Sequence, residues 1–227
     1  MAQSVLVIAE SGSGKSTSIE TLDPKETFII NVANKPLPFK GWKSKYIQWS
    51  KENPTGNLYG KADADSIHAC MRYVSEKRPE IKSIVIDDFQ YMMGFEYMEK
   101  ALEKGYDKFT KMAANLSKVA TLPKDLRDDL TVFFLSHAEE STDIEGNRKL
   151  KAKTIGKMVD NVLTLEGLFS IVLFGKVKKD KELGVRYIFE TQNNGENTCK
   201  SPKGMFPTFE IANDLALVKQ AIINYEN

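Results

Sequence analysis

The stretch VLVIAESGSGKST, residues 5–17, decides the fold. Ser4 to Ala9 is a short, β-branched, almost wholly apolar run, which suits a strand buried on both faces of a parallel sheet. Glu10 to Gly14 then forms a glycine-rich loop, and Lys15-Ser16-Thr17 opens a predicted helix. Phosphates demand several backbone N–H groups pointing inward, and Gly12 and Gly14 allow that curvature without a Cβ clash. Lys15 can reach the β- and γ-phosphates, the Ser16 hydroxyl can ligate Mg²⁺, and a helix N-terminus favours negative charge. Of the pattern G-x-x-x-x-G-K-[ST], Gly14, Lys15 and Ser16 are in place, while Ala9 stands where the first glycine belongs. Alanine is tolerable there if its φ is negative. The candidate phosphate-contacting residues are therefore Glu10, Ser11, Gly12, Ser13, Gly14, Lys15, Ser16 and Thr17.

A second apolar strand, Ser83 to Ile86, ends in Asp87-Asp88. A strand-end aspartate beside a phosphate loop can hold the water shell of Mg²⁺, and Asp87 is the candidate. Asp88 either orients an attacking water or caps the helix that starts near Phe89. Leu130 to Leu135 reads as a further buried strand with Ser136-His137 at its C-terminal end. Ligands of open α/β sheets gather outside such ends. His137 is either a sensor of the γ-phosphate or a satisfied structural histidine.

Around these motifs the chain alternates strand and helix. Thr27 to Val32 is a strand, followed by an irregular stretch from Ala33 to Gly60 in which Pro36 and Pro38 forbid a helix. Trp42, Tyr46 and Trp49 pack that stretch on the core or stack on a base, and packing is favoured. Helices are predicted over 62–77, 89–104, 108–122, 155–165 and 213–224, and strands over 169–174 and 185–191. QNNGEN, residues 192–197, has a hairpin turn signal at Asn194-Gly195. AEESTDIEGN, residues 138–147, is a polar, acidic loop with a turn at Glu145-Gly146. It is followed by Arg148, Lys149, Lys151, Lys153 and Lys157, which either follow a phosphodiester backbone or coat a solvated loop.

The chain has 227 residues, is 41% hydrophobic and 28% charged, and carries a net charge of +1, ordinary for a soluble globular protein without a globally basic coat. Its apolar runs are too short to span a bilayer, and the N-terminus lacks the basic-then-apolar pattern of a signal peptide. Two cysteines, Cys70 and Cys199, have no metal-ligand spacing and fit free thiols in a reducing cytoplasm.

Taken together, AESGSGKST, the strand IVIDD, FLSH, FIINVANKPLPFKGW and ETQNNGENTCKSPKGMF resemble the bacteriophage RecA-like ATP-binding proteins, single-domain ATPases linked to recombination and single-strand annealing. The resemblance implies an α/β fold with a RecA-like P-loop NTPase core, built as a mostly parallel central β-sheet flanked by helices. The likeness spans most of the chain, and with the predicted C-terminal β-hairpin residues 1–227 are expected to form one domain. It implies ATP and Mg²⁺, with Lys15, Ser16 and Asp87 in the nucleotide roles and His137 in the strand-end sensing position. It implies subunits that meet across the nucleotide in a ring or filament, single-stranded DNA as partner, and a phage single-strand-binding or recombination protein nearby. Lys200 falls where such proteins place a cation that reaches a neighbour's γ-phosphate; the competing reading, an exposed lysine after a hairpin, is favoured for the residue taken alone. No carboxylate stands at the end of the second strand, which reads Asn31-Val32-Ala33-Asn34. Either Asp88 activates water, or the protein is mainly an ATP-dependent binder or loader. A small-molecule or nucleotide kinase would use the same loop, but the five arginines do not cluster into a lid.

Overall fold

The computed structural model describes residues 1–142, 146, 148–160, 163–180 and 184–226. Among them, one sheet is built from β1 Gln3–Ala9, β2 Thr27–Asn31, β3 Leu58–Tyr59, β4 Ser83–Asp87, β5 Thr131–Thr142, β6 Arg148–Ala152, β7 Ile171–Asp180, β8 Gly184–Glu190 and β9 Glu210–Ala212. The strand order is β3-β2-β4-β5-β1-β7-β8-β9, with β6 paired to the far half of β5. From β3 to β7 neighbours run parallel, and β8 and β9 add an antiparallel edge. The helices are α1 Trp42–Lys45, α2 Ala64–Lys77, α3 Tyr91–Glu99, α4 Asp107–Thr121, α5 Lys157–Asp160 and α6 Leu215–Glu226.

Successive side chains of a strand point to opposite faces, so continuous apolar strands need cover on both sides. Leu6, Ile8, Ile84, Ile86, Val132 and Phe134 pack in one core with α2 and α4. Their alternates Val5, Val7, Val85, Phe133 and Leu135 pack in a second core with α6. The aromatics of the irregular stretch belong to these cores. Tyr46 is buried edge-on to Phe39, and Trp49 packs on Phe28, Tyr59 and Tyr73. No helix among the described residues is long and apolar enough to cross a membrane.

Four expectations are corrected. The helix predicted after the phosphate loop is only a 3₁₀ turn, Thr17–Thr21. Its side chains compete for its carbonyls: the Ser18 hydroxyl donates to Lys15 O and the Thr21 hydroxyl to Ser18 O. Asp23 then precedes Pro24, which disfavours further helix. The predicted acidic and basic loops are instead a β-ribbon. β5 runs on to Thr142 and pairs antiparallel with β6, placing Glu139 opposite Lys151 and Thr142 opposite Arg148. Glu145, expected in the turn, lies outside the described residues. Of the helix predicted over 155–165, the described residues include α5 and, at its expected end, a 3₁₀ turn at Leu165–Leu168, while 155–156 and 163–164 are not helical and 161–162 lie outside the described residues. Finally, Asn194-Gly195 does turn the chain, with Gly195 at φ +93°, but makes no hairpin with β8. The segment after it bridges Leu150 and Val172 through Asn197 and Lys200. The C-terminal hairpin is β7–β8, whose connection falls at 181–183, outside the described residues.

The Ala9 departure has a structural counterpart. Ala9 ends β1 fully buried, and its φ is not in the left-handed region, so nothing there requires glycine. Its register partner on β7 is Gly175. A Cβ at Gly175 would lie 2.9 Å from the Ala9 Cβ. The pair therefore shares one methyl group between two strands.

Two predictions follow from this packing. Gly175→Ala should destabilise the fold by about 1–3 kcal/mol, as overpacking does; adding Ala9→Gly should recover most of that loss in a denaturant titration. Burial pushes the Cys70 thiol up to about 12 and the Cys199 thiol likewise to about 12. Iodoacetamide at mild alkaline pH should therefore label neither in the native protein and both after denaturation, read by mass spectrometry.

Candidate functional site

The loop after β1 is shaped by its two glycines. Gly12 and Gly14 both sit at φ +81°, a region side chains rarely enter. Gly14 is also sterically tied: a Cβ there would meet Tyr187 Cδ1 at 2.9 Å and Asn213 Nδ2 at 3.4 Å. The Ser13 hydroxyl donates to Glu10 O at 2.6 Å, and Asn213 Nδ2 donates to Ser13 O at 3.2 Å. The loop is thus braced from within and from the segment between β9 and α6.

Charge converges below it. The Lys15 ammonium, only 5% exposed, donates to Asp88 Oδ1 at 2.9 Å and to Asp87 Oδ1 at 3.3 Å. The Ser16 hydroxyl donates to Asp87 Oδ1 at 2.8 Å. His137 Nε2 stands 3.2 Å from Asp88 Oδ1. The other Asp88 oxygen is ion-paired with Lys35, whose ammonium also lies 5.6 Å over the Tyr91 ring. Burial by itself would raise the Asp88 carboxyl. His137, Lys15 and Lys35 outweigh it and hold the group far below the usual carboxylate range. The Asp88 anion is thereby held among Lys15, Lys35 and His137. Asp88 does not cap α3 with its side chain. Gln90 occupies the N-cap without a side-chain capping bond, its Oε1 accepting instead from His137 N at 3.1 Å, and Asp88 contributes its backbone carbonyl to Tyr91 N. Asp88 itself adopts φ +60°, stabilised by its N–H donating to Asp87 Oδ1 at 3.1 Å.

These groups come from four strand ends that are consecutive in the sheet: β2, β4, β5 and β1. They open on a cavity of about 650 Å³ lined by the loop, Lys35, Asp88, His137, Tyr187, Asn213 and Asp214. That volume suits a nucleotide-sized ligand. The donor set suits Mg²⁺, which binds through one or two protein oxygens and otherwise keeps water and phosphate oxygens. Ser16 Oγ and Asp87 Oδ1 offer such a pair. Among the described residues, no cluster of three or more His, Cys, Asp or Glu offers a metal a dedicated cage.

The structure thus brings Glu10, Ser11, Lys15, Ser16, Thr17, Asp88 and His137 to one cavity, with Asp87 beneath it. It does not bring Lys200 there. Lys200 is half-buried and pairs its backbone with Val172, near the start of β7, away from the cavity of its own chain. Of the basic residues, Lys151 is held between Glu139 at 3.3 Å and Asp160 at 2.5 Å. Burial would lower its ammonium, but the two carboxylates raise it overall. Arg148 is exposed and 3.9 Å from Glu140, and Lys153 is exposed while its backbone N–H donates to His137 O at 2.8 Å. Lys149 is half-buried on β6, and the Lys157 side chain lies outside what is described.

Sequence reasoning missed Lys35, Tyr187, Asn213 and Asp214. For Lys35 a signal existed: it follows a buried parallel strand, at the end where ligands gather. Tyr187 carried none, because its side faces the loop only through the β7–β8 register.

The family model for the AAA domain matches residues 1–202. No curated protein matches the sequence significantly. The matched span contains the glycine loop, the acidic strand and the strand-end histidine, and the chain belongs to the AAA domain family of P-loop NTPases.

Proposed function

We propose that this protein binds ATP with Mg²⁺ at the β1 loop, hydrolyses it, and uses the cycle on single-stranded DNA as a relative of the phage RecA-like ATPases. The observation that supports the nucleotide reading most is the convergence of Lys15, Ser16, Asp87, Asp88 and His137 at the strand ends beside the loop. The loop amides cradle the phosphates, and Lys15 exchanges its carboxylate partners for phosphate oxygens. Ser16 and Asp87 would hold the metal. Magnesium, when bound, neutralises charge on the β- and γ-phosphoryl oxygens. Asp88 and His137 flank the place where water approaches. In the reaction the water oxygen bonds to the γ-phosphorus and the bond to the bridging oxygen breaks. Its electron pair leaves on ADP, and the water's proton passes to solvent.

The DNA part rests on the family resemblance and on the β5–β6 ribbon, which carries an exposed Lys153 beside His137 and an exposed Arg148 at its far end, opposite Thr142. Lys151 serves the ribbon itself on this reading. The protein acts as one domain over residues 1–227, in the cytoplasm, in a homo-oligomer whose neighbouring subunit supplies Lys200. A second reading has a specific observation behind it. Asn31, not a carboxylate, ends β2, and Asp88 is engaged by three positively charged or proton-bearing groups. A protein so built can be a nucleotide-dependent loader with little turnover.

Phosphate release with and without single-stranded DNA separates the two. Under the enzyme reading, wild type turns over and Lys15→Ala falls by about a hundredfold or more. ATP-dependent strand binding without turnover establishes the loader. Arg148→Glu with Lys153→Glu should weaken strand binding and flatten its salt dependence; unchanged binding removes the ribbon from the DNA reading.

A further inference from the structure

Lys35 stands in the cavity without a part in the function described so far. Its backbone is fixed from three sides. Asn31 Nδ2 donates to Lys35 O at 2.6 Å, and Lys35 N donates to Asn31 Oδ1 at 3.2 Å. Asn34 before it occupies the left-handed region at φ +50°, and Pro36 after it fixes the exit. Asn31 is itself level with Asp87 in the β2–β4 register. The root of the side chain is therefore indexed to the same strand end that carries the acidic pair.

The tip of the side chain is different in kind from Lys15. Lys15 is 5% exposed, whereas Lys35 is 57% exposed and still reaches a carboxylate that is 2% exposed. A long, solvated side chain can swing at small cost, and a compact ammonium is the right partner for a non-bridging phosphate oxygen. Lys35 and Lys15 hold opposite oxygens of one carboxylate, so both ammonium groups face the same small volume from opposite walls. The loop lies on the Lys15 side. Lys35 and the loop line the same cavity.

We propose that Lys35 is a γ-phosphate-contacting cation supplied in cis, which distinguishes ATP from ADP and neutralises charge on the transferred phosphoryl group without waiting for a neighbouring subunit. This rests on the nucleotide reading above. It assigns to the β2–α1 loop what an oligomer-dependent finger would otherwise supply. A lysine that merely neutralised Asp88 would have no preference between di- and triphosphate.

Calorimetry with Mg²⁺ and either ADP or a non-hydrolysable ATP analogue tests this on wild type, Lys35→Met and Lys35→Arg, alongside phosphate release. Lys35→Met should bind ADP within about twofold of wild type and lose about tenfold to a hundredfold in affinity for the analogue, the range of one charge-assisted hydrogen bond. Its turnover should fall by about a hundredfold, and Lys35→Arg should recover most of the analogue affinity. Equal losses for ADP and analogue, or wild-type affinity and turnover in Lys35→Met, overturn the proposal while leaving the site reading intact. If wild type turns nothing over, the affinity comparison alone decides. If wild type binds neither nucleotide, the site reading fails and Lys35 with it.

Discussion

Two adjacent carboxylates buried at the end of one strand are the constraint on which this structure turns. Asp87 and Asp88 are both almost fully removed from solvent. Ionised neighbours in such a place persist only if cations and donors converge on them, since an uncompensated buried charge costs several kcal/mol. The compensation arrives from three other strands: Lys15 and Ser16 after β1, Lys35 after β2, His137 on β5. No local segment could supply it. The strand order, with β5 inserted between the loop strand and the acidic strand, is what aligns these ends along one edge. The left-handed turn at Asp88 belongs to the same requirement. It sends the chain into α3 while leaving the carboxylate among its cations, a conformation Asp tolerates better than most residues.

What could be read from sequence was whatever announces itself locally. β1, β2, β4 and the first half of β5 are continuous apolar runs, and burial on both faces is the only way to satisfy them. The loop spacing placed Lys15 and Ser16, and Asp87-Asp88 followed a strand that could end nowhere else. Lys35 is marked only by its place after a buried parallel strand, which many residues share. A single lysine between an asparagine and a proline shows neither periodicity nor motif, and its importance comes from a register, Asn31 beside Asp87, that is long-range. Gly175 is similar. Its need to lack a side chain is set by Ala9, 166 positions away in the chain, through β1–β7 pairing.

The errors were of the opposite type, where local polarity was given too much weight. Residues 138–152 look like solvated loops because their ladder is written in charge instead of hydrophobicity. Glu139 pairs across to Lys151, and Ser141 to Lys149. A cross-strand pair, whether the Glu139–Lys151 ion pair or the Ser141 hydroxyl donating to the Lys149 carbonyl, adds only tenths of a kcal/mol, yet a ribbon growing out of a strand already fixed in the core needs little more to continue. An acidic segment followed by a basic one was the legible hint. At Asn194-Gly195 the turn itself was readable, but its partner was not, because β8 pairs instead with β7 and β9.

The ribbon also gives the site a short route outward. His137 faces Asp88, and the very next residue, Ala138, pairs with Ala152 of β6. Lys153 N–H closes the ladder on the His137 carbonyl at 2.8 Å. No loop intervenes between the imidazole beside Asp88 and the first pair of the ribbon. Strands transmit a tilt or slide as units, since one displaced residue breaks two bonds of its ladder. If a ligand on the ribbon prefers one setting of β5, the nucleotide that favours that setting binds more tightly in its presence. By linkage, the same free energy then appears in the affinity of the ribbon for its ligand. The continuity of β5 through residue 137 makes such reciprocity mechanically simple.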